Sequence, residues 1–75
     1  MERYKNFSGT SGIVAYEIDT TSIKVQFKDG AVYLYTAQSA GASTLERMKQ
    51  LAVGGNDLNS YIMTNAKKSY SAKLR

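Results

Sequence analysis

Ile23-Lys24-Val25-Gln26-Phe27-Lys28-Asp29-Gly30-Ala31-Val32-Tyr33-Leu34-Tyr35 is the stretch on which the fold of this chain turns. Two alternating runs meet there at Asp-Gly, the strongest short-range hairpin signal a sequence carries. A two-residue turn at Asp29-Gly30 sets Lys28 opposite Ala31. The register then follows by counting: Phe27 faces Val32, Gln26 faces Tyr33, Val25 faces Leu34 and Lys24 faces Tyr35. Side chains alternate across a strand, and opposed residues share a face. One face therefore reads Ile23, Val25, Phe27, Val32 and Leu34, which is a core. The other reads Lys24, Gln26, Lys28, Tyr33 and Tyr35, which is basic and aromatic, and it is the candidate working surface. The assignment depends on the parity of the turn: a three-residue loop would mix the lysine row with Val32 and Leu34 and dissolve it.

Working outward, Ile13 to Ile18 reads as the preceding strand, and Asp19-Thr20-Thr21-Ser22 is a polar turn cluster. A return through that turn opposes Ile18 to Ile23, Tyr16 to Val25 and Val14 to Phe27. Tyr16 then lies on the core side as a structural residue. Residues 1–12 mix Asn6, Ser8, Gly9, Thr10, Ser11 and Gly12 with isolated aromatics and read as a loose arm, docked by Tyr4 and Phe7. Past the hairpin, Thr36 to Ala42 is a small, polar connection. Ser43-Thr44-Leu45-Glu46 has the form of a capping box, in which serine and glutamate satisfy free backbone N–H groups reciprocally. Leu45, Met48, Leu51 and Ala52 recur at helical spacing, and Gly54-Gly55 ends that helix. Asn56 or Asp57 can cap a second helix, whose apolar stripe is Leu58, Tyr61, Ile62 and Ala66. Asn59, on its first turn, is placed to hydrogen-bond the loop before it.

The element order is β-β-β-α-α, and the fold class is α+β: a three-stranded antiparallel β-meander with two C-terminal helices packed on one face. It spans residues 13–66, between the N-terminal arm (1–12) and a basic C-terminal extension (67–75). The far face of the sheet stays open, and two tyrosines beside two lysines on an uncovered face suit a ligand.

Composition narrows the chemistry. Seventy-five residues make one domain. With no cysteine and no histidine, thiolate and imidazole metal sites and histidine-activated nucleophiles are excluded. No loop has carboxylates at Ca²⁺ or Mg²⁺ spacing, so neither metal nor cofactor is expected. Glu17, Asp19, Asp29 and Glu46 form no acid–base pair, and an enzyme is not expected. No apolar run approaches the roughly 18 residues of a membrane span, and no signal-peptide pattern is present. The cytoplasm, a reducing compartment, is therefore the expected location and a membrane is not an expected partner. The net charge is +4. Acidic and basic groups balance through residue 59, so the excess comes from Lys67, Lys68, Lys73 and Arg75, with no acid beyond Asp57. A basic end on a neutral body suits a polyanion.

Several of these residues, taken in order, resemble the KTSC domain: Tyr16, the Ile23-x-Val25-x-Phe27 strand, Gly30, Tyr33-x-Tyr35, a helix ending near Ala52, then Leu58-Asn59 and Ile62. That small module is named for its occurrence at the C-terminus of some lysyl-tRNA synthetases and also occurs alone in small bacterial and phage proteins. The resemblance covers about residues 11 to 63. The chain lacks the family's usual Val-Pro before the helix, and it has Met63 where arginine is common and Ala66 where tyrosine is usual. The family has no established activity; the role suggested for it is nucleic-acid binding, RNA in particular.

The preferred expectation is thus a small non-catalytic module that binds nucleic acid, RNA more than DNA. Tyr33 and Tyr35 would stack bases, Lys24 and Lys28 would contact phosphates, and Lys67 and Lys68 would add charge. Tyr16, Gly30 and Asn59 would be structural. The alternative is a protein-interaction or self-association module of a small bacterial or phage accessory protein. Its tyrosine face would then be a hot spot, or a sheet edge would add a strand from a partner.

Overall fold

Each end of the chain adds a strand to the predicted meander. The computed structural model describes residues 1–7, 9 and 12–75. Its five antiparallel strands lie in chain order across one sheet: β1 (Glu2–Arg3), β2 (Ile13–Asp19), β3 (Ser22–Phe27), β4 (Val32–Thr36) and β5 (Ala72–Lys73). Between β4 and β5 the chain passes through α1 (Ala37–Ala40), α2 (Ala42–Gly54) and α3 (Leu58–Tyr61), and α3 runs on as a π-helical turn over Ile62–Ala66. The α+β class holds, with a wider sheet than three strands. β1 pairs Glu2 with Tyr16 and Arg3 with Ala15, while β5 pairs Lys73 with Tyr33 and Ala72 with Leu34. The arm and the basic extension therefore cover sheet edges that would otherwise expose unpaired backbone groups. Ser8, Thr10 and Ser11 of the predicted arm lie outside the described residues.

The turn between β2 and β3 follows the predicted register, with Ile18 opposite Ile23 and Tyr16 opposite Val25. Farther along, the register shifts and Ile13, not Val14, meets Phe27. A bulge places one extra residue on one strand. Here it sends Ile13 into the core at 1% exposure and leaves Val14 outside at 41%.

The hairpin between β3 and β4 departs from the two-residue turn, and this is the main correction. Lys28, Asp29 and Gly30 form a three-residue loop closed by Phe27 N–H to Ala31 O (2.8 Å) and Gly30 N–H to Phe27 O (2.9 Å). The pairing moves by one residue: Gln26 meets Val32, Lys24 meets Leu34, Val25 meets Tyr33 and Ile23 meets Tyr35. A two-residue Asp-Gly turn of the favoured type needs positive φ at both residues. Only Gly30 (φ 93°) has it here, and Asp29 instead accepts the Ala31 N–H on its own Oδ1 at 3.0 Å. A one-residue slip reverses the faces. Tyr33 and Tyr35 consequently join Ile23 and Val25 under the helices, while Val32 and Leu34 share the other face with Lys24 and Gln26.

The core lies between the sheet and the helices. Tyr4, Ile13, Tyr16, Ile23, Val25 and Tyr35 meet Leu45, Met48 and Ala52 of α2 and Leu58, Ile62 and Ala66 of the last helix. Six of the eight residues of the predicted helical stripes are thus buried, with Leu51 and Tyr61 half-buried against them. The predicted capping box at Ser43 does not form. Residue 43 sits inside the first turn of α2, whose cap position is Gly41, and the reciprocal box belongs to α1, between Thr36 and Ser39. Gly55 ends α2 in the left-handed conformation (φ 74°), as a terminating glycine should. Asp57 occupies the cap position of α3, but its backbone is left-handed and its side chain caps nothing. The Tyr4 hydroxyl takes that role, accepting the Leu58 N–H at 3.2 Å. The arm is thereby anchored by Tyr4, and Phe7 N–H donates to Gly55 O at 2.9 Å while its ring stays exposed. Asn59 is half-buried on the first turn of α3, and its side chain takes part in none of these bonds of the α2–α3 turn.

Candidate functional site

The slip that buries Tyr35 also builds a cleft. The helices leave one corner of the sheet's inner face uncovered, next to the hairpin loop and β5. A cleft of about 340 Å³ opens there, lined by Phe27, Asp29, Ala31, Tyr33, Tyr35, Met63, Lys67, Lys68 and Tyr70. β4 supplies Tyr33 and Tyr35, and the segment leading into β5 supplies Tyr70. Tyr35 is the deepest ring at 2% exposure, and Tyr70 is the outermost at 39%. The rings form a continuous cluster. Phe27 meets Tyr33 edge-on at 5.6 Å, Tyr33 meets Tyr70 at 4.8 Å, and Tyr35 meets Tyr70 edge-on at 6.4 Å. Such spacings are favourable for quadrupolar rings. Lys73 Nζ stands 5.8 Å from the centre of the Tyr33 ring, within cation–π range.

The π-helical turn explains how Lys67 and Lys68 reach the rim. Leu58, Ile62 and Ala66 are buried at a strict spacing of four, which runs ahead of the 3.6-residue α-helical repeat. Widening the last turn to the π pattern brings Ala66 back inward. The helix then ends at residue 66, and Lys67 and Lys68 follow in the turn beside the cleft, where Ser69 N–H closes on Ala66 O at 3.0 Å.

The lining carries two cations, Lys67 and Lys68, against one anion, Asp29. Among the described residues the ion pairs are Lys24 with Glu17 (3.3 Å) and Lys49 with Glu46 (3.6 Å). No carboxylate pairs with Lys67, Lys68 or Lys73. Asp29 is the carboxylate in the lining, and its Oδ1 is engaged by the loop. Burial, and then the neighbouring Tyr33 and Tyr70 phenols, push the Tyr35 phenol up to about 12. At neutral pH it is therefore an uncharged hydroxyl, able to donate or accept.

Of the predicted site residues, Tyr33, Tyr35, Lys67 and Lys68 line this one cleft. Tyr33 and Tyr35 do not stand on an open sheet face, and Lys24 and Lys28 do not stand beside them. Lys24 lies on the opposite face, bonded to Glu17. Lys28 is exposed in the hairpin loop, where its N–H donates to Gly12 O at 2.7 Å. Sequence reasoning missed Phe27, Met63 and Tyr70 as lining residues.

Among the described residues, no helix is long and apolar enough to cross a membrane. Among the same residues, no group of three or more acidic, cysteine or histidine side chains could hold a metal ion. Comparison with known protein families, with curated proteins and with solved structures finds no match to this chain.

Proposed function

We propose that this chain is a small non-catalytic module that binds single-stranded nucleic acid in the tyrosine cleft. One observation carries the reading: Tyr33, Tyr35 and Tyr70 share a single open cleft with Lys67 and Lys68, neither of which forms an ion pair among the described residues. A base stacked on the half-exposed Tyr70 leaves its phosphate at the lysine rim. The neutral Tyr35 hydroxyl at the bottom can bond a base edge. Stacking on aromatic rings needs an unpaired base with a free face, which single strands offer and duplexes do not. The preference for RNA over DNA rests on the resemblance to the KTSC domain. Affinity is micromolar or weaker and nearly indifferent to sequence, because stacking and phosphate contacts do not read base edges strongly.

Fluorescence anisotropy with a single-stranded oligoribonucleotide tests this at about 50 and 200 mM salt. Tyr70→Ala lowers affinity roughly 5- to 150-fold, the equivalent of about 1–3 kcal/mol of stacking. Replacing Lys67 and Lys68 with glutamine lowers the log–log salt slope by about 1.4, at about 0.7 per phosphate contact on a single strand. Absence of binding to the parent protein at the lower salt removes the reading.

A further inference from the structure

The cations of the C-terminal segment are divided between the two sides of the sheet. Lys73 lies over Tyr33 on the cleft side. Leu74 and Arg75 turn to the opposite face, where with Met1, Lys24, Gln26 and Val32 they line a second depression of about 280 Å³. The backbone between the two is the sheet edge itself, with Leu74 N–H donating to Val32 O (2.7 Å) and Val32 N–H to Arg75 O (3.3 Å). Lys67, Lys68, Lys73 and Arg75 form a series that starts at the cleft rim and passes over this edge. Among the described residues no carboxylate pairs with any of them, and the chain has no acid beyond Asp57.

We infer that a nucleic-acid strand held in the cleft continues over β5 onto the far face of the sheet, where Arg75 and Lys24 take further phosphates. The inference rests on the cleft reading above and adds a path to it. Charge selects the occupant: a polyanion can bridge cations on two faces of one edge. A peptide adding as a β-strand needs a long run of free backbone groups, and β5 is only two residues long. Lys24 is already ion-paired with Glu17 at 3.3 Å, so Arg75 is the stronger of the two far-face contacts.

Ligand length separates the two sites. A dinucleotide fills the cleft alone, whereas an octanucleotide also reaches across the edge. The parent protein therefore shows a steeper salt dependence with the octanucleotide than with the dinucleotide. Replacing Lys24 and Arg75 together with glutamine lowers the octanucleotide slope by up to about 1.4, at about 0.7 per phosphate contact, and leaves dinucleotide binding unchanged. Both substitutions are on solvent-accessible side chains, and circular dichroism confirms the fold of the variant. Equal slopes for the two lengths, or equal losses on substitution, overturn the path and leave the cleft standing. Absence of binding at both lengths overturns the cleft and the path with it.

Discussion

Replacing Tyr4 with phenylalanine removes one oxygen atom and leaves a buried amide without a partner. The Tyr4 hydroxyl accepts the Leu58 N–H at 3.2 Å across 54 residues of chain. Leu58 is fully buried, and Asp57, whose backbone is left-handed, makes no side-chain capping hydrogen bond to it. The first amide of α3 therefore depends on a residue from the far end of the chain. Tyr→Phe keeps the ring and opens no cavity, so the loss is the cost of one unsatisfied buried donor, about 1–3 kcal/mol. With a urea dependence of about 1 kcal/mol/M for so small a domain, the unfolding midpoint falls by about 1–3 M. Circular dichroism during urea titration measures it. Asp57→Asn is the control: asparagine also tolerates a left-handed backbone, and its expected effect is within about 0.5 kcal/mol. A Tyr4→Phe loss below about 0.5 kcal/mol, or an Asp57→Asn loss as large, refutes the assignment of Tyr4 as the cap.

Two further predictions concern stability. The Tyr35 phenol is pushed up to about 12 by burial and by the adjacent phenols, so the folded state holds its proton more tightly than the unfolded state, where the value is near 10. Its contribution to stability is complete below pH about 10, declines as the pH rises through about 12, and is absent above it. Tyr35→Phe should remove a late step from the tyrosinate absorbance titration and flatten the alkaline fall in stability; an unchanged profile refutes it. Adjacent glycines should respond in opposite directions. Gly54 lies in α2 with open space at its missing Cβ, so Gly54→Ala gains about 0.4–1 kcal/mol. Gly55 has φ 74°, and a Cβ there would lie 2.6 Å from the Lys5 Cβ, so Gly55→Ala loses about 1–3 kcal/mol. Thermal unfolding of the pair decides it, and a shift of the same sign in both contradicts the geometry.

Local signals were readable where local physics decides them. The β2–β3 turn, both helical stripes and the left-handed glycine at the end of α2 each follow from alternation, helical spacing or glycine's freedom at positive φ. The capping box was misread because Ser43 and Thr36 both begin a plausible signature, and only the tight succession of α1 and α2 puts residue 43 inside a helix. The end strands were missed because two-residue strands carry almost no periodicity, and they exist through pairing with β2 and β4.

The amino-acid order by itself determined an α+β domain, a hairpin centred on Asp29-Gly30, which residues of each helix are buried, and a cationic C-terminal end. It left open the parity of that hairpin, since a glycine at positive φ can close a three-residue loop as well as a two-residue one. Tertiary structure made that choice: in the three-residue register Tyr35 is buried against the helices, and Lys28 N–H reaches Gly12 O at 2.7 Å. The cleft was equally invisible along the chain. Its rings and lysines come from residues 27–35 and 63–70, and only the packing of helix and sheet brings those two segments together.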